Sequence, residues 1–347
     1  MHVARAKGEA RAAVRTKPSI IENGFQPMTA FSVLMPFQPR RPEQVLPYAG
    51  LVHWTQAERL WQGQALLVEP CQGFAYAAGS GFRVPAGLGV TLMPLRHPFE
   101  AALQARSLAM TTGQPVTAGF GPGAKSLQES LLGAPYASPL TAAREYLTIV
   151  RGLLANEIVD IKGQYVSCHG SLPPFPAPPV EIGLGVLRPG MARLAGEIAD
   201  VAITWLTPAV YLRDVVLPAM RTGAEAAGRA LPRLTAMVPV ALEHPGHEPA
   251  DLALASNAAH LEGPHYIDML RRAGVEVKGG DPAADARALV DGEAFLSGDT
   301  AQLLEKLEAY EAAGVDEVVL NLTGVYNLVG AQAAMADLKA LLTALAQ

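Results

Sequence analysis

Cysteine, aromatic residues and charge are all scarce in this chain of 347 residues, and each shortage excludes something. Two cysteines, Cys71 and Cys168, are too few for a disulfide framework and stand at no metal-ligand spacing, so neither a stapled scaffold nor a metal site is encoded. Charged residues make up 17% and aromatics 6%, against 50% hydrophobic, which is not the composition of a disordered chain. With 27 basic and 32 acidic residues the net charge is −5, and nothing in that balance attracts nucleic-acid phosphates or an anionic membrane. No run of about 18 apolar residues is present to span a bilayer. Arg5, Lys7, Arg11, Arg15 and Lys17 crowd the start of the chain, yet no apolar stretch follows to make a secretory signal. Residues 1–28 are therefore expected to form a disordered basic tail, and the protein to be cytoplasmic.

What is present is an alternation of short apolar runs with amphipathic stretches, punctuated by 33 glycines and 28 prolines. The runs Phe31 to Met35, Ala65 to Glu69, Gly87 to Leu92, Val116 to Phe120, Val180 to Gly185, Val201 to Trp205, Leu234 to Leu242 and Val315 to Leu320 predict eight buried strands. Helical patterns lie between them, at Phe99 to Thr112, Thr141 to Ala155, Met191 to Ala199, Pro208 to Gly228 and Thr300 to Ala313, with a last helix from Val329 to Leu345. Repeated strand–helix units of this kind argue for an α/β fold, a (β/α)8 TIM barrel, in preference to a doubly wound sheet. A single barrel domain is expected over 29–347, with insertions after the fourth and seventh barrel strands. The first, Gly163 to Pro179, looks like a short hairpin with a proline-rich exit; the second, about 243–299, is irregular and too long for an ordinary connection. Barrel chemistry sits at the C-terminal ends of the strands, so the second insertion would lie beside the active site.

Four segments fall in a recognisable order: Gly87-Leu-Gly-Val-Thr-Leu-Met-Pro-Leu-Arg-His-Pro-Phe99, Gly119-Phe-Gly-Pro-Gly123, Leu131-Leu-Gly-Ala-Pro135 and Leu187-Arg-Pro-Gly-Met-Ala-Arg-Leu-Ala-Gly-Glu-Ile-Ala-Asp200. Together they resemble the luciferase-like family of flavin- and deazaflavin-dependent oxidoreductases, over about residues 30–345. The resemblance implies a tricyclic ring lying against Gly89, Val90 and Thr91 of the third strand, with a non-prolyl cis peptide at this place. Gly89 could equally serve only to relieve crowding in a barrel strand. The resemblance assigns the loop Gly121, Pro122, Gly123 to the side chain of the cofactor, where bare backbone amides allow close approach. It places further contacts on Arg188, Pro189, Gly190, Met191 and Ala192, where a proline-initiated helix can receive a phosphate. Glu69, taken as the end of the second strand, joins this set. Relatives that bind FMN often carry Arg where Pro122 stands, so its absence leans towards the deazaflavin, coenzyme F420, with FMN as the alternative.

The proton-handling residues are less well marked. Deazaflavin sugar-phosphate dehydrogenases of this family use a His and a Glu at places held here by Pro70 and Ala124, which disfavours that reaction. His53 ahead of the second strand, and His260, His265 and Tyr266 in the second insertion, remain as candidate proton donors, an imidazole or phenol being suited to protonating a carbanion after hydride transfer. His97 reads as a helix cap, Trp205 as a pocket wall or a core residue, and Asn321 and Thr323 as residues that could line the cavity. The expected activity is hydride transfer from reduced F420 to an activated C=C or C=N bond of a small molecule or a modified peptide carrying a dehydroamino acid. The alternatives are an FMN-dependent two-component monooxygenase and a noncatalytic flavin-binding protein. A homodimer is expected, and neither nucleic acid nor membrane is an expected partner.

Overall fold

The computed structural model describes residues 29–347; the predicted basic tail lies outside them. The strands in chain order are β1 (Ala30–Leu34), β2 (Leu60–Gln62), β3 (Ala86–Leu92), β4 (Val116–Gly121), β5 (Val159–Lys162), β6 (Ser167–Gly170), β7 (Val180–Gly185), β8 (Val201–Trp205), β9 (Arg233–Leu242), β10 (Leu296–Gly298) and β11 (Glu317–Asn321). Eight of them, β1, β2, β3, β4, β7, β8, β9 and β11, pair in parallel in that order, and β11 closes back on β1 through Ala30 opposite Glu317. This is the expected (β/α)8 barrel.

Large side chains fill only part of the barrel interior. Leu34, Trp61, Val201, Ile203, Met237 and Val319 form its buried cluster, with Val90 and Trp205 packed against it. Below them Glu317, fully buried, accepts hydrogen bonds from Ser32 Oγ (2.6 Å), Trp61 Nε1 (2.7 Å), Arg59 Nε (3.0 Å) and Arg233 Nη1 (3.3 Å). Around β4 and β7 the wall is glycine. A Cβ on Gly87 would collide with the Trp61 ring, and one on Gly119 or Gly183 with Cδ1 of Ile203. The glycines of these strands thus follow from the reach of two large side chains, Trp61 and Ile203.

Sequence and structure part company in three elements. The second strand is Leu60–Gln62, not Ala65 to Glu69. Leu66 and Leu67 are 69% and 62% exposed, so that apolar run is a surface loop, whereas the true strand is three residues buried on both faces and shows no alternation. The Pro208 to Gly228 pattern is interrupted by a π-helical turn, Leu212–Val216, before the helix Leu217–Ala226. The insertion after β9 is not irregular: it folds as helices Pro249–Leu261, Pro264–Arg272 and Pro282–Asp291, each opened by a proline at its first turn, and ends in β10, which pairs in parallel with the tip of β9. The predicted hairpin is present as antiparallel β5 and β6. It lies outside the barrel, tied to flanking helices by His97 Nε2 to the Ser167 carbonyl (2.9 Å) and by the amides of Gln164 and Tyr165 to Glu145.

Candidate active site

The mouth of the barrel is built where β3, β4, β7 and β8 end. In β3 the register against β4 shifts between Leu88 and Thr91, and the Gly89–Val90 peptide bond is cis. The shift turns both Gly89 and Val90 towards the interior. Gly89 lies so close to Met237 and Trp61 that no Cβ fits, and Val90 fills the space that side chains on β4 and β7 would occupy: a Cβ on Gly121 would stand 2.9 Å from its Cγ2, and one on Gly185 3.3 Å from its Cγ1. Gly121 is therefore bare in order to admit Val90. Thr91 also turns away, its Oγ1 donating to the Gly119 carbonyl at 3.0 Å. Beside this bulge the Gln64 amide donates to the Val90 carbonyl (3.1 Å), and Gln64 Oε1 is covered without a partner. The loop after β4 is held by the buried Gln128, whose Nε2 donates to the carbonyls of Pro122 (3.0 Å) and Gly123 (2.8 Å).

Glu69 does not end a strand. It caps the helix Pro70–Gly79, accepting from the Cys71 amide at 2.8 Å, and its other oxygen lies 3.4 Å from Arg96. Both of its oxygens are thus engaged by the protein. His53 is not brought to the mouth either. It sits in the last turn of the helix Leu46–Trp54, which descends from β1 towards the opposite end of the barrel, and it is exposed against Trp54 and Phe82.

The other three proton-donor candidates are brought together. The His260 ring stacks on Trp205 (centroids 5.1 Å apart, 24° between planes), and Tyr266 meets His260 edge-on at 4.9 Å and His265 at 4.7 Å. Trp205 ends β8, so two helices of the insertion are delivered to a barrel strand end. Burial, with the neighbouring His265 adding to it, pushes the His260 imidazole down to about 4 and keeps it neutral at pH 7. His265 is lowered too, first by burial and then by Arg188, and burial raises the Tyr266 phenol.

Arg188 precedes the helix Pro189–Ile198, which starts with a proline and has no side-chain cap; the Met191 and Ala192 amides both donate to the Arg188 carbonyl (3.1 Å each), so the Gly190 amide is the one this first turn leaves open. Gly190 and Met191 lie in that first turn, and Ala192 is buried in the next. The Arg188 guanidinium is not free: its Nε lies 3.0 Å from Asp268, which also pairs with Arg272. Tyr211, which sequence reasoning missed, belongs to the same corner. It is 2% exposed, its hydroxyl is covered and unpartnered, and Arg272, Asp268 and Arg188 all act on it electrostatically. Nothing in its local sequence separates it from a core tyrosine; only the π-helical turn that follows marks the place. Asn257 and Ser256 were missed for a similar reason, since both stand in what reads as an ordinary helix. Among the described residues no group of His, Cys, Asp and Glu could hold a metal ion, and no helix is long and apolar enough to cross a membrane.

A 5,10-methylenetetrahydromethanopterin reductase of Methanolobus tindarius is 32% identical over 147 residues, which cover 42% of this chain and 44% of the relative, so less than half of that protein's length is matched. The solved structure of a coenzyme F420-dependent tetrahydromethanopterin reductase from Methanopyrus kandleri superposes with a TM-score of 0.70 at 20% identity, covering 91% of this chain and 97% of that one. A type II Baeyer–Villiger monooxygenase of Pseudomonas putida, in complex with FMN, shares the fold at a TM-score of 0.64 and 18% identity, over 89% of this chain and 96% of that one. Residues 34–317 match the luciferase-like monooxygenase family over most of the chain, and the protein belongs to that family.

Proposed function

We propose that this chain is a cytoplasmic, homodimeric F420-dependent oxidoreductase that delivers hydride from the reduced deazaflavin to an activated C=C or C=N bond of a small molecule or modified peptide. The observation that carries the choice of cofactor is the loop after β4. Pro122 offers neither a charged side chain nor an amide proton, and its carbonyl and that of Gly123 are already held by Gln128. Residues 122–124 carry no cation for an FMN phosphate, the first to follow being Lys125 at the start of the next helix, and Arg188 is matched by Asp268. The relatives named above for F420 support the same choice.

The residues present fit such a cofactor. Gly89 and Val90 present backbone at the mouth, Gln64 Oε1 is covered there without a partner, and the Gly190 amide in the first turn of the helix Pro189–Ile198 is open to a phosphate ester. When bound, F420 supplies a hydride at C5, and the protein's part is binding, orientation and exclusion of water. Trp205 and Val90, packed on the apolar cluster of the barrel, give its mouth an apolar floor. Tyr266 holds its proton on Oη through the neutral range, because burial disfavours the phenolate, and so stands as donor to the substrate with His265 beside it. His53 and Glu69 take no part.

Separate titrations of the purified protein with F420 and FMN, followed by turnover of reduced F420 with an α,β-unsaturated acceptor, test the proposal. Saturable F420 binding and acceptor-dependent oxidation are expected. Tight FMN binding with no F420 binding would overturn it in favour of a monooxygenase, and F420 binding with no turnover on any acceptor would make the chain a carrier.

A further inference from the structure

The helix Pro249–Leu261 turns a polar face towards the barrel. Ser256, Asn257 and His260 share that face at helical spacing, and Ser256 Oγ, Asn257 Oδ1 and His260 Nδ1 are all covered with no hydrogen-bond partner. Strand ends on the same side carry Trp205 Nε1 and Asn321 Nδ2 in the same condition. Asn257 and Asn321 are both 0% exposed. Each has spent its other amide atom: Asn257 Nδ2 donates to the Ala253 carbonyl, and Asn321 Oδ1 accepts from the amide and hydroxyl of Thr323. Asn257 thus offers an acceptor, whereas Asn321 and Trp205 offer donors.

A covered polar atom without a partner is costly, and side chains of this kind in one seam of a folded protein mark the place of a missing partner. The helix is held over the mouth by contacts of its own. Gly324 packs directly on the Leu252 carbonyl, and Asn327 Nδ2 donates to the Ala255 carbonyl at 2.9 Å. No ion at this seam is left unmatched, since the one guanidinium acting on its histidines, Arg188, is paired with Asp268.

We propose that the seam between β8, β11 and the helix Pro249–Leu261 is the substrate-recognition surface, and that it selects an uncharged group with both a donor and an acceptor, a carboxamide or lactam, over a carboxylate or phosphate. A carboxamide meets Trp205 and Asn321 with its oxygen and Asn257 with its N–H. A carboxylate of the same shape has no donor for Asn257 and brings a charge that neutral His260 does not balance. The inference rests on the proposed activity, because it names the substrate class of that site.

The matched probes are trans-cinnamamide and trans-cinnamate, one skeleton with an activated C=C and either end group. Binding is followed by ligand-observed NMR at pH 7, with an F420 titration in the same samples. The amide is expected to bind at least ten-fold more tightly than the acid. Trp205→Phe, which keeps an aromatic ring and removes the N–H, is expected to weaken the amide about three- to ten-fold, as loss of one hydrogen bond does. Equal or tighter binding of cinnamate, no binding of either probe at 10 mM, or an unchanged amide affinity in a folded Trp205→Phe variant overturns the inference. If the F420 titration alone fails, the proposed activity falls and the surface assignment is judged on the two probes.

Discussion

Glu317 is a carboxylate out of reach of water whose two oxygens serve Ser32, Arg59, Trp61 and Arg233. Arg59 is itself buried, with 5% exposure, and its Nη1 also donates to Thr117 at 2.7 Å. Glu317→Leu removes the carboxylate that meets Arg59 Nε and leaves that buried charge only Glu181, at 3.8 Å, so it is expected to cost about 3–5 kcal/mol in urea denaturation. A loss below 1 kcal/mol would show that the network is not what holds the lower barrel. This residue was illegible in sequence, because Asp316-Glu317 before an apolar run looks like any charged strand start. His53 is the opposite case. A histidine near a strand was read as a site residue, but a helix between two barrel strands carries its last turn to the wrong end. His260, His265 and Tyr266 were legible because the length of the insertion, rather than any motif, drew attention to them.

The barrel strands at the scale of elements were legible where they run five residues or more, as β3, β4, β7, β8 and β9 do. The three-residue β2 was not, since Leu66 and Leu67 nearby carry a stronger apolar signal on the surface. The insertion hid its helices for another reason. Prolines 249, 264 and 282 read as loop punctuation, whereas each opens a helix at its first turn. How that insertion is fastened can be tested at Gly324, where a side chain would meet the Leu252 backbone. Gly324→Val is expected to destabilise the protein by about 1–3 kcal/mol, as overpacking does. Amide hydrogen exchange should rise in 249–261 while the barrel strands keep theirs; unchanged exchange in that helix would mean that it is anchored elsewhere.

For the whole molecule, His260 ties stability to pH. Its folded-state value of about 4 lies below the ordinary 6.5, so the native state binds fewer protons than the unfolded chain over that window. Stability therefore falls as pH drops from 6.5 towards 4, by up to about 3 kcal/mol from this group. Asp316 and Asp337, whose carboxyls burial raises, act in the opposite sense, so the test is a difference. His260→Phe should lose less stability than the wild type between pH 7 and pH 4.5, and parallel curves for the two would show that the ring is already solvated.

The glycine-lined half of the barrel also bears on how such a chain can change over generations. A Cβ at Gly183 would stand 2.6 Å from Cδ1 of Ile203 and 3.0 Å from the Gly119 backbone. The first obstacle is the tip of a flexible side chain on the neighbouring strand and the second is main chain. Positions 183 and 203 are therefore not free to drift independently. Lineages that acquire alanine at 183 should carry a shorter residue than isoleucine at 203, and the order of the two events is set, with the trimming of 203 coming first.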